Sequence, residues 1–326
     1  MKKKLLWITW EAVGSTRSKI LANKLNAEFY SITIFEDIKH LSLLRYIVAT
    51  ICTFFILLKE KPDILIVPNP SVVLSFISAV YKYAFKYSLI IDLHTHYINP
   101  QGLNGLLFQS LNRFSLKCCN LIIVTNSSYQ EKIRDKTNNE IFILPDMIPT
   151  FDRKFKKVPL KGKVNILYVC TFSEDEPWEE VIKAGSLLSE GICVYITGKH
   201  NRFNKDILPS NIELTGFLPI EMYQNMLRSV DAIMVLTYEE DNLLCGGYEA
   251  IAAEKPLIIS NKKVIKRFFS KGSVYTENIA KDIAEAIMKM FQHKDKLTEE
   301  MKSIKLIRDE EWKIQWNNFL NKIYRK

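Results

Sequence analysis

Short apolar runs alternate along this chain with longer segments whose apolar residues recur at helical spacing. Lys4–Thr9 predicts a short buried strand, 17–26 a helix, and 28–35 a second strand. A long apolar helix is expected over about 41–59. It is broken by Lys61-Pro62-Asp63, and Ile64–Val67 then reads as a buried strand. Helix over 71–86, strand over 89–93, helix over 106–119, strand over 121–124, helix over 127–136 and strand over 141–144 follow. Alternation of this kind implies a parallel sheet covered by helices on both faces.

Residues 150–163 break the pattern. They are basic, contain Pro and Gly, and show no apolar period, so they read as an interdomain linker. Strands are then expected over 164–169, 193–197, 212–214, 232–236 and 256–259, helices over 179–188, 220–228 and 248–253, and a mostly helical tail over 278–326. The expected architecture is α/β: two Rossmann-like doubly wound domains facing a cleft, with ligands at the carboxyl ends of the strands. The expected domains are 1–155, with a terminal helix 312–326 packing back on it, and 156–311.

The 326 residues suffice for two such cores, and 48% hydrophobic with 25% charged residues excludes disorder, collagen and coiled coil. Net charge is +9. Residues 1–150 hold 17 Lys and Arg against 11 Asp and Glu, so most of the excess lies in the first half. That balance favours an anionic lipid surface or a phosphorylated substrate. Nucleic acid is not expected, since no corresponding motif is present. Cysteines at 52, 118, 119, 170, 193 and 245 form no Cys-x-x-Cys pair and suggest reduced, buried thiols in a cytoplasmic protein. The apolar run of Met1–Trp10 is too short for a leader and reads as a buried strand. The charge-free stretch 46–58 is shorter than a spanning helix and reads as a buried or membrane-touching one.

The chemistry concentrates in Tyr238–Ser260, YEEDNLLCGGYEAIAAEKPLIIS. A strand ends near Leu236, an acidic loop follows, then Gly246-Gly247 and a helix. Glycines admit a ligand close to the backbone, and the first helical N–H groups attract an anion. Glu249, one turn in, can accept hydrogen bonds from paired sugar hydroxyls.

This stretch resembles the signature of family-4-like glycosyltransferases of the GT-B fold, with Asp241 in place of a more usual Glu, Glu249-Ala250, and Lys255-Pro256. Thr215-Gly216-Phe217-Leu218, the helix after it and Ser229-Val230-Asp231-Ala232 resemble another recurrent run of that family, as does Lys61-Pro62-Asp63. Phe172–Trp178 resembles a subset of bacterial sugar transferases. The resemblance implies transfer of a sugar from a nucleotide sugar, UDP-linked by default, to a glycan or lipid-linked acceptor with retention of configuration. No metal or other cofactor is implied. Glu249 would bind the ribose; Asp241 with the backbone of Leu244, Cys245, Gly246 and Gly247 would hold the donor sugar and diphosphate. Gly216 and Leu218 would border the base. Gly14 would lie in the loop approaching both substrates, and His94, with His96 as its competitor, would orient a reacting hydroxyl near the donor sugar. Arg17 and Lys19 are candidates for acceptor phosphate or for a solvated helix face. Where that family places an Arg and a Lys against the diphosphate, this chain has the acidic turn Cys170–Glu176, including Thr171. Lys199, His200 and Arg202 are candidates for the missing cations. Peripheral contact with an anionic inner membrane is also expected.

Two other readings remain open. Asp92-Leu93-His94-Thr95-His96 also matches the Asp-x-His-x-His strand end of metal-dependent amidohydrolases. The acidic turn also suits a catalytically silent module of the same fold.

Overall fold

A computed structural model describes residues 3–10, 16–34, 42–69, 71–93, 105–152, 154–199 and 208–325. The chain divides into two compact units, residues 1–146 with 314–326, and residues 147–313.

In the first unit the elements are β1 Leu5–Thr9, α1 Thr16–Leu25, β2 Glu28–Ser31, α2 Ser42–Glu60, β3 Ile64–Pro68, α3 Val72–Phe85, β4 Ser88–Asp92, α4 Gly105–Cys118, β5 Leu121–Val124, α5 Ser127–Arg134 and β6 Glu140–Ile143. The strands pair in parallel in the order β2-β1-β3-β4-β5-β6. β1, β3 and β5 are buried along their whole length, as expected of parallel strands covered on both faces. Local signals fix the helix ends. Ser71 caps α3 by accepting the Leu74 N–H at 3.2 Å, and Lys86 ends it in the left-handed conformation. Asn126 caps α5 through the Tyr129 N–H at 3.1 Å.

The second unit comprises β7 Val164–Tyr168, α6 Trp178–Gly185, β8 Ile192–Thr197, β9 Ile212–Gly216, α7 Ile220–Ser229, β10 Ala232–Val235, α8 Cys245–Ala253, β11 Leu257–Ser260, α9 Lys263–Phe268, β12 Ser273–Thr276, α10 Ala280–Gln292 and the first part of α11 Lys294–Arg325. Its order is β12-β11-β10-β7-β8-β9, all parallel. Alternation along β7 sends Val164, Ile166 and Tyr168 into one core and Leu167 into the other. α9 and β12 escape the sequence pattern. α9 has six residues and no side-chain cap, and β12 is an edge strand paired only with β11.

The strand order reverses between β1 and β3 in the first sheet and between β7 and β10 in the second. Crevices for ligands open at such reversals, outside the carboxyl ends of the strands.

The segment read as a linker lies along the second unit. Ile148 is buried in one of its cores, with Phe151, Val158 and Leu160 against it. The N–H groups of Lys156 and Val158 donate to Asn225 and Ser229 at 3.0 and 2.9 Å, and Arg228 donates to the carbonyls of Asp152 and Lys154. The chain after Asp146 therefore goes with the second unit, earlier than residue 156. Residues 314–326 go with the first. Phe319 stacks on Phe142 at 5.7 Å, and Lys3 donates to the Ile323 carbonyl at 3.1 Å.

Candidate functional site

Among the helices that start at the carboxyl edge of the second sheet are α6 after β7, α7 after β9 and α8 after β10, beside the short α9 after β11 and α10 after β12. None of α6, α7 and α8 has a side-chain cap: the N-cap residues are Pro177, Pro219 and Leu244. α6 and α7 have carboxylates in their first turn, Glu179, Glu180 and Glu221; α8 has none. The positive end of α8 is thus neither capped nor neutralised by its own first turn, an arrangement suited to an anion.

The helix begins at Cys245, so Gly246 and Gly247 lie in its first turn and not in a loop before it. Their lack of a side chain is accounted for by packing. A Cβ on Gly246 would stand 2.7 Å from Val235 and 3.2 Å from Val169, and one on Gly247 2.6 Å from the Phe269 ring. The glycines press α8 onto the ends of β10 and β7. Close ligand approach is not needed to explain them.

Glu249 is one turn further and half-buried. The Tyr223 hydroxyl on α7 donates a short hydrogen bond to its Oε2. Burial pushes the Glu249 carboxyl up to about 7, against the opposing pull of that hydrogen bond. Burial also pushes the Tyr223 hydroxyl well up, followed by the Glu249 charge. Sequence reasoning missed Tyr223; its place on the helix after Leu218 was the available signal.

The exit of β10 is tightly held. The Thr237 N–H donates to Ser260 Oγ at 2.9 Å, Ser260 Oγ to Asn278 Oδ1 at 2.7 Å, and Asn278 Nδ2 to the Thr237 carbonyl at 2.6 Å. In the acidic loop that follows, Glu240 pairs with Lys262 at 2.5 Å and Asp241 is half-buried.

Beside it stands the turn after β7. Its acids are turned inward: Glu176 and Asp175 are engaged by hydrogen bonds of the turn itself and of Thr237, while Glu174 is exposed. Thr171 is exposed and donates to Glu176 through both its N–H and its hydroxyl. Gly198 ends β8 at φ +101°, where a Cβ would meet the Cys170 carbonyl at 2.5 Å, and the exposed Lys199 follows it. Gly216 has φ +70° with open space around it, so the backbone conformation alone asks for glycine. Leu218 packs on the same core as Tyr223 and Leu244. Asp231 lies at the opposite end of the sheet, accepting the Asn165 N–H at 2.8 Å and pairing with Lys294, and is structural.

In the first unit Gly14, His94 and His96 lie outside the described residues, as do His200 and Arg202 in the second. Arg17 is described, and it is neither solvated nor free for phosphate. Its guanidinium is buried, binds both oxygens of the fully buried Asp92, and reaches Asp146 at 2.7 Å and the Leu144 carbonyl at 2.9 Å. Lys19 is exposed. The amidohydrolase reading makes His94 and His96 metal ligands at a strand end of a barrel, and both lie outside the described residues. Asp92 is the partner of Arg17, and the strands form two open sheets. Cys245 is an exception to the expected burial of the cysteines; Cys119, Cys170 and Cys193 are buried, Cys52 and Cys118 are half-buried, and none of the six is in a disulfide.

No protein-family model matches the chain, and no curated protein does. Solved structures do match. Sucrose-phosphate synthase from Thermosynechococcus elongatus superposes with a TM-score of 0.72 at 12% identity, covering 90% of this chain and 81% of that one. HepE from Anabaena, in complex with UDP, gives a TM-score of 0.72 at 10% identity over 99% of this chain and 100% of its own. A UDP-forming α,α-trehalose-phosphate synthase from Burkholderia xenovorans, in complex with glucose-6-phosphate, gives 0.71 at 10% identity over 98% and 99%. At such identities the likeness is one of fold. The architecture is GT-B, two doubly wound α/β domains.

Proposed function

We propose that the chain is a glycosyltransferase that moves a sugar from a nucleotide sugar, UDP-linked by default, to a hydroxyl of a glycan or lipid-linked acceptor in polysaccharide or glycoconjugate synthesis. The observation that carries this reading is the start of α8: an uncapped helix end without first-turn acids, on the strand next to the reversal of the sheet, with a half-buried carboxylate one turn on. The match of fold to HepE in complex with UDP supports it.

In this reading the amino end of α8, from Leu244 to Gly247, takes the donor phosphate. Glu249 exchanges its bond from Tyr223 for the ribose hydroxyls, Asp241 holds the donor sugar, and Gly216 and Leu218 border the base. Thr171 and Lys199 stand at the phosphate side. His94 and Gly14, both outside the described residues, keep the roles the resemblance implies, His94 orienting the reacting hydroxyl and Gly14 lying in the loop that approaches both substrates. The bond from the anomeric carbon to the diphosphate oxygen breaks as the bond to the acceptor oxygen forms. The acceptor proton goes to the leaving phosphate, and the configuration is retained. Helix N–H groups stabilise the departing charge, and no metal is called for.

The test is a titration of the full chain with UDP, wild type against Glu249→Ala. Binding by the wild type with a loss of about 10- to 100-fold in the variant is expected, the range for a hydrogen bond to a charged group. No UDP binding, or equal binding by both proteins, overturns the reading. The acidic turn favours a second reading, a silent module of this fold. UDP binding with no turnover of any sugar nucleotide would select it.

We place the acceptor side of the chain against the cytoplasmic face of an anionic membrane. α2 exposes Leu43, Leu44, Ile47, Ile51, Phe55 and Leu58; α3, packed against it, adds Tyr83, and α4, packed against α3, adds Leu106 and Leu107. These three helices carry Arg45, Lys59, Lys82, Arg113 and Lys117 and a single carboxylate, Glu60, already paired with Lys4. Such an apolar face with a cationic border fits acidic lipid and would repel a second copy of itself. No helix among the described residues is long and apolar enough to cross a membrane. Flotation with phosphatidylglycerol vesicles checks this. Binding that is lost in high salt, and lost in Ile51→Ser/Phe55→Ser, is expected; equal recovery with neutral vesicles counts against it.

A further inference from the structure

The turn after β7 is built around one carboxylate oxygen. Oε2 of Glu176 accepts the N–H of Thr171 at 2.9 Å, the N–H of Ser173 at 3.0 Å, the Thr171 hydroxyl at 3.1 Å and the Cys170 thiol at 3.4 Å. Phe172, between the two N–H groups, has φ +61°. Successive N–H groups bent onto one point by a left-handed residue make a concavity for an anion, and here the anion is the chain's own.

The turn is fastened on both sides. Asp175 accepts from Ser173 Oγ at 2.5 Å and from Thr237 Oγ1 at 3.4 Å, and its carbonyl accepts the Tyr238 N–H at 2.7 Å. On the other flank Gly198 lets β8 pass within contact of Cys170 and Phe172. The fastening ties the turn to the exit of β10, which leads into α8, and Val169 just before it abuts the first turn of α8 through Gly246. The filled concavity and the uncapped helix end therefore lie on adjoining strands at the reversal of the sheet.

We propose that Glu176 is a specificity-determining residue of the donor site: its carboxylate occupies the N–H groups that would otherwise receive the second phosphate of a nucleoside diphosphate. The proposal rests on the transferase reading for the place of the first phosphate, at α8. A second phosphate on the β7 side meets donors already taken and a negative charge at their centre, with Glu174 exposed beside it. The site then draws its affinity from the nucleoside and one phosphate, and gains little from the next.

Calorimetric titration of the full chain with UMP and with UDP tests this, in the wild type, Glu176→Gln and Glu176→Ala. In the wild type UDP is expected to bind no more than about threefold tighter than UMP. In Glu176→Ala, UDP affinity is expected to rise about tenfold or more while UMP changes less than about twofold. Glu176→Gln, which keeps the shape and an acceptor oxygen without the charge, is expected to fall between. A wild-type preference for UDP above about tenfold overturns the proposal, and so does a ratio unchanged in both variants while UMP still binds. Should the variants fail to fold, the wild-type ratio alone decides. If neither nucleotide binds the wild type, the transferase reading itself fails, an outcome distinct from UMP binding with a strong UDP preference.

Discussion

Glu249 links charge, stability and binding at one residue. Burial lifts its carboxyl from 4.5 to about 7, so the folded chain holds this proton more tightly than the unfolded chain does. Its contribution to stability is full below about pH 4.5 and is lost as pH rises through about 7. Thermal melts should therefore show Glu249→Gln gaining on the wild type between pH 5 and pH 8; a constant gap would refute the linkage. Binding runs the other way. If the carboxylate grips ribose, UDP affinity should rise with pH through about 7 in the wild type and stay flat in Glu249→Gln. Tyr223→Phe removes the bond that favours the charged form, so its rise should come at higher pH. The glycines before Glu249 make a different case. Sequence drew attention to them as room for a ligand, whereas the structure fills that room with Val235, Val169 and Phe269. A glycine beside a helix start reads the same for either cause, because only tertiary neighbours tell them apart. Gly247→Ala sets a Cβ against the buried Phe269 ring and should cost about 1–3 kcal/mol in urea melts, even in the absence of nucleotide.

At the scale of elements, the order of strands and helices was legible because buried parallel strands are short apolar runs and their helices are amphipathic. The acidic turn was legible as a departure, but not its inward direction, which depends on the left-handed Phe172. Strand order was also hidden. Both halves read as strand and helix in alternation, yet the first sheet reverses at β1/β3 and the second at β7/β10. Contacts between elements distant in sequence decide such matters, and Arg17 shows how. Read as a cation at the head of α1, it looks solvated. In the fold it ties α1 to the ends of β4 and β6 through Asp92, Leu144 and Asp146. Arg17→Met leaves the Asp92 carboxylate buried with its main cation gone, which should cost about 3–5 kcal/mol. Pairing it with Asp92→Asn should recover part of that loss. A denaturant series on the two single variants and the double measures the coupling, and strict additivity would mean that the pair is not the source.

For the whole molecule, the far end of the chain bears on which part fails first. α11 begins in the second unit, where Leu297, Met301 and Ile304 join its cores, and ends in the first. Its last turns cover the amino ends of β3 to β6. Phe319 is fully buried against Phe142 and Trp316, Ile323 is buried, Lys322 pairs with Glu140, and a small cavity there is lined by Ile64, Ser88, Leu121 and Ile323. Phe319→Ala removes the largest fully buried one of these groups and should cost about 3–5 kcal/mol, the usual loss for a buried aromatic cut back to alanine. The loss belongs to the first unit, because none of these contacts reaches residues 147–313. The proposed nucleotide-binding residues α8, Tyr223 and the β7 turn all lie in the second unit. The variant should therefore unfold in two steps, the earlier one insensitive to UDP and the later one raised by it as in the wild type, since a ligand lifts only the unit whose native form binds it. Calorimetric scans with and without UDP separate these outcomes. A single transition shifted equally by ligand would mean that the two units unfold as one, and that the proposed nucleotide site depends on the first for its stability.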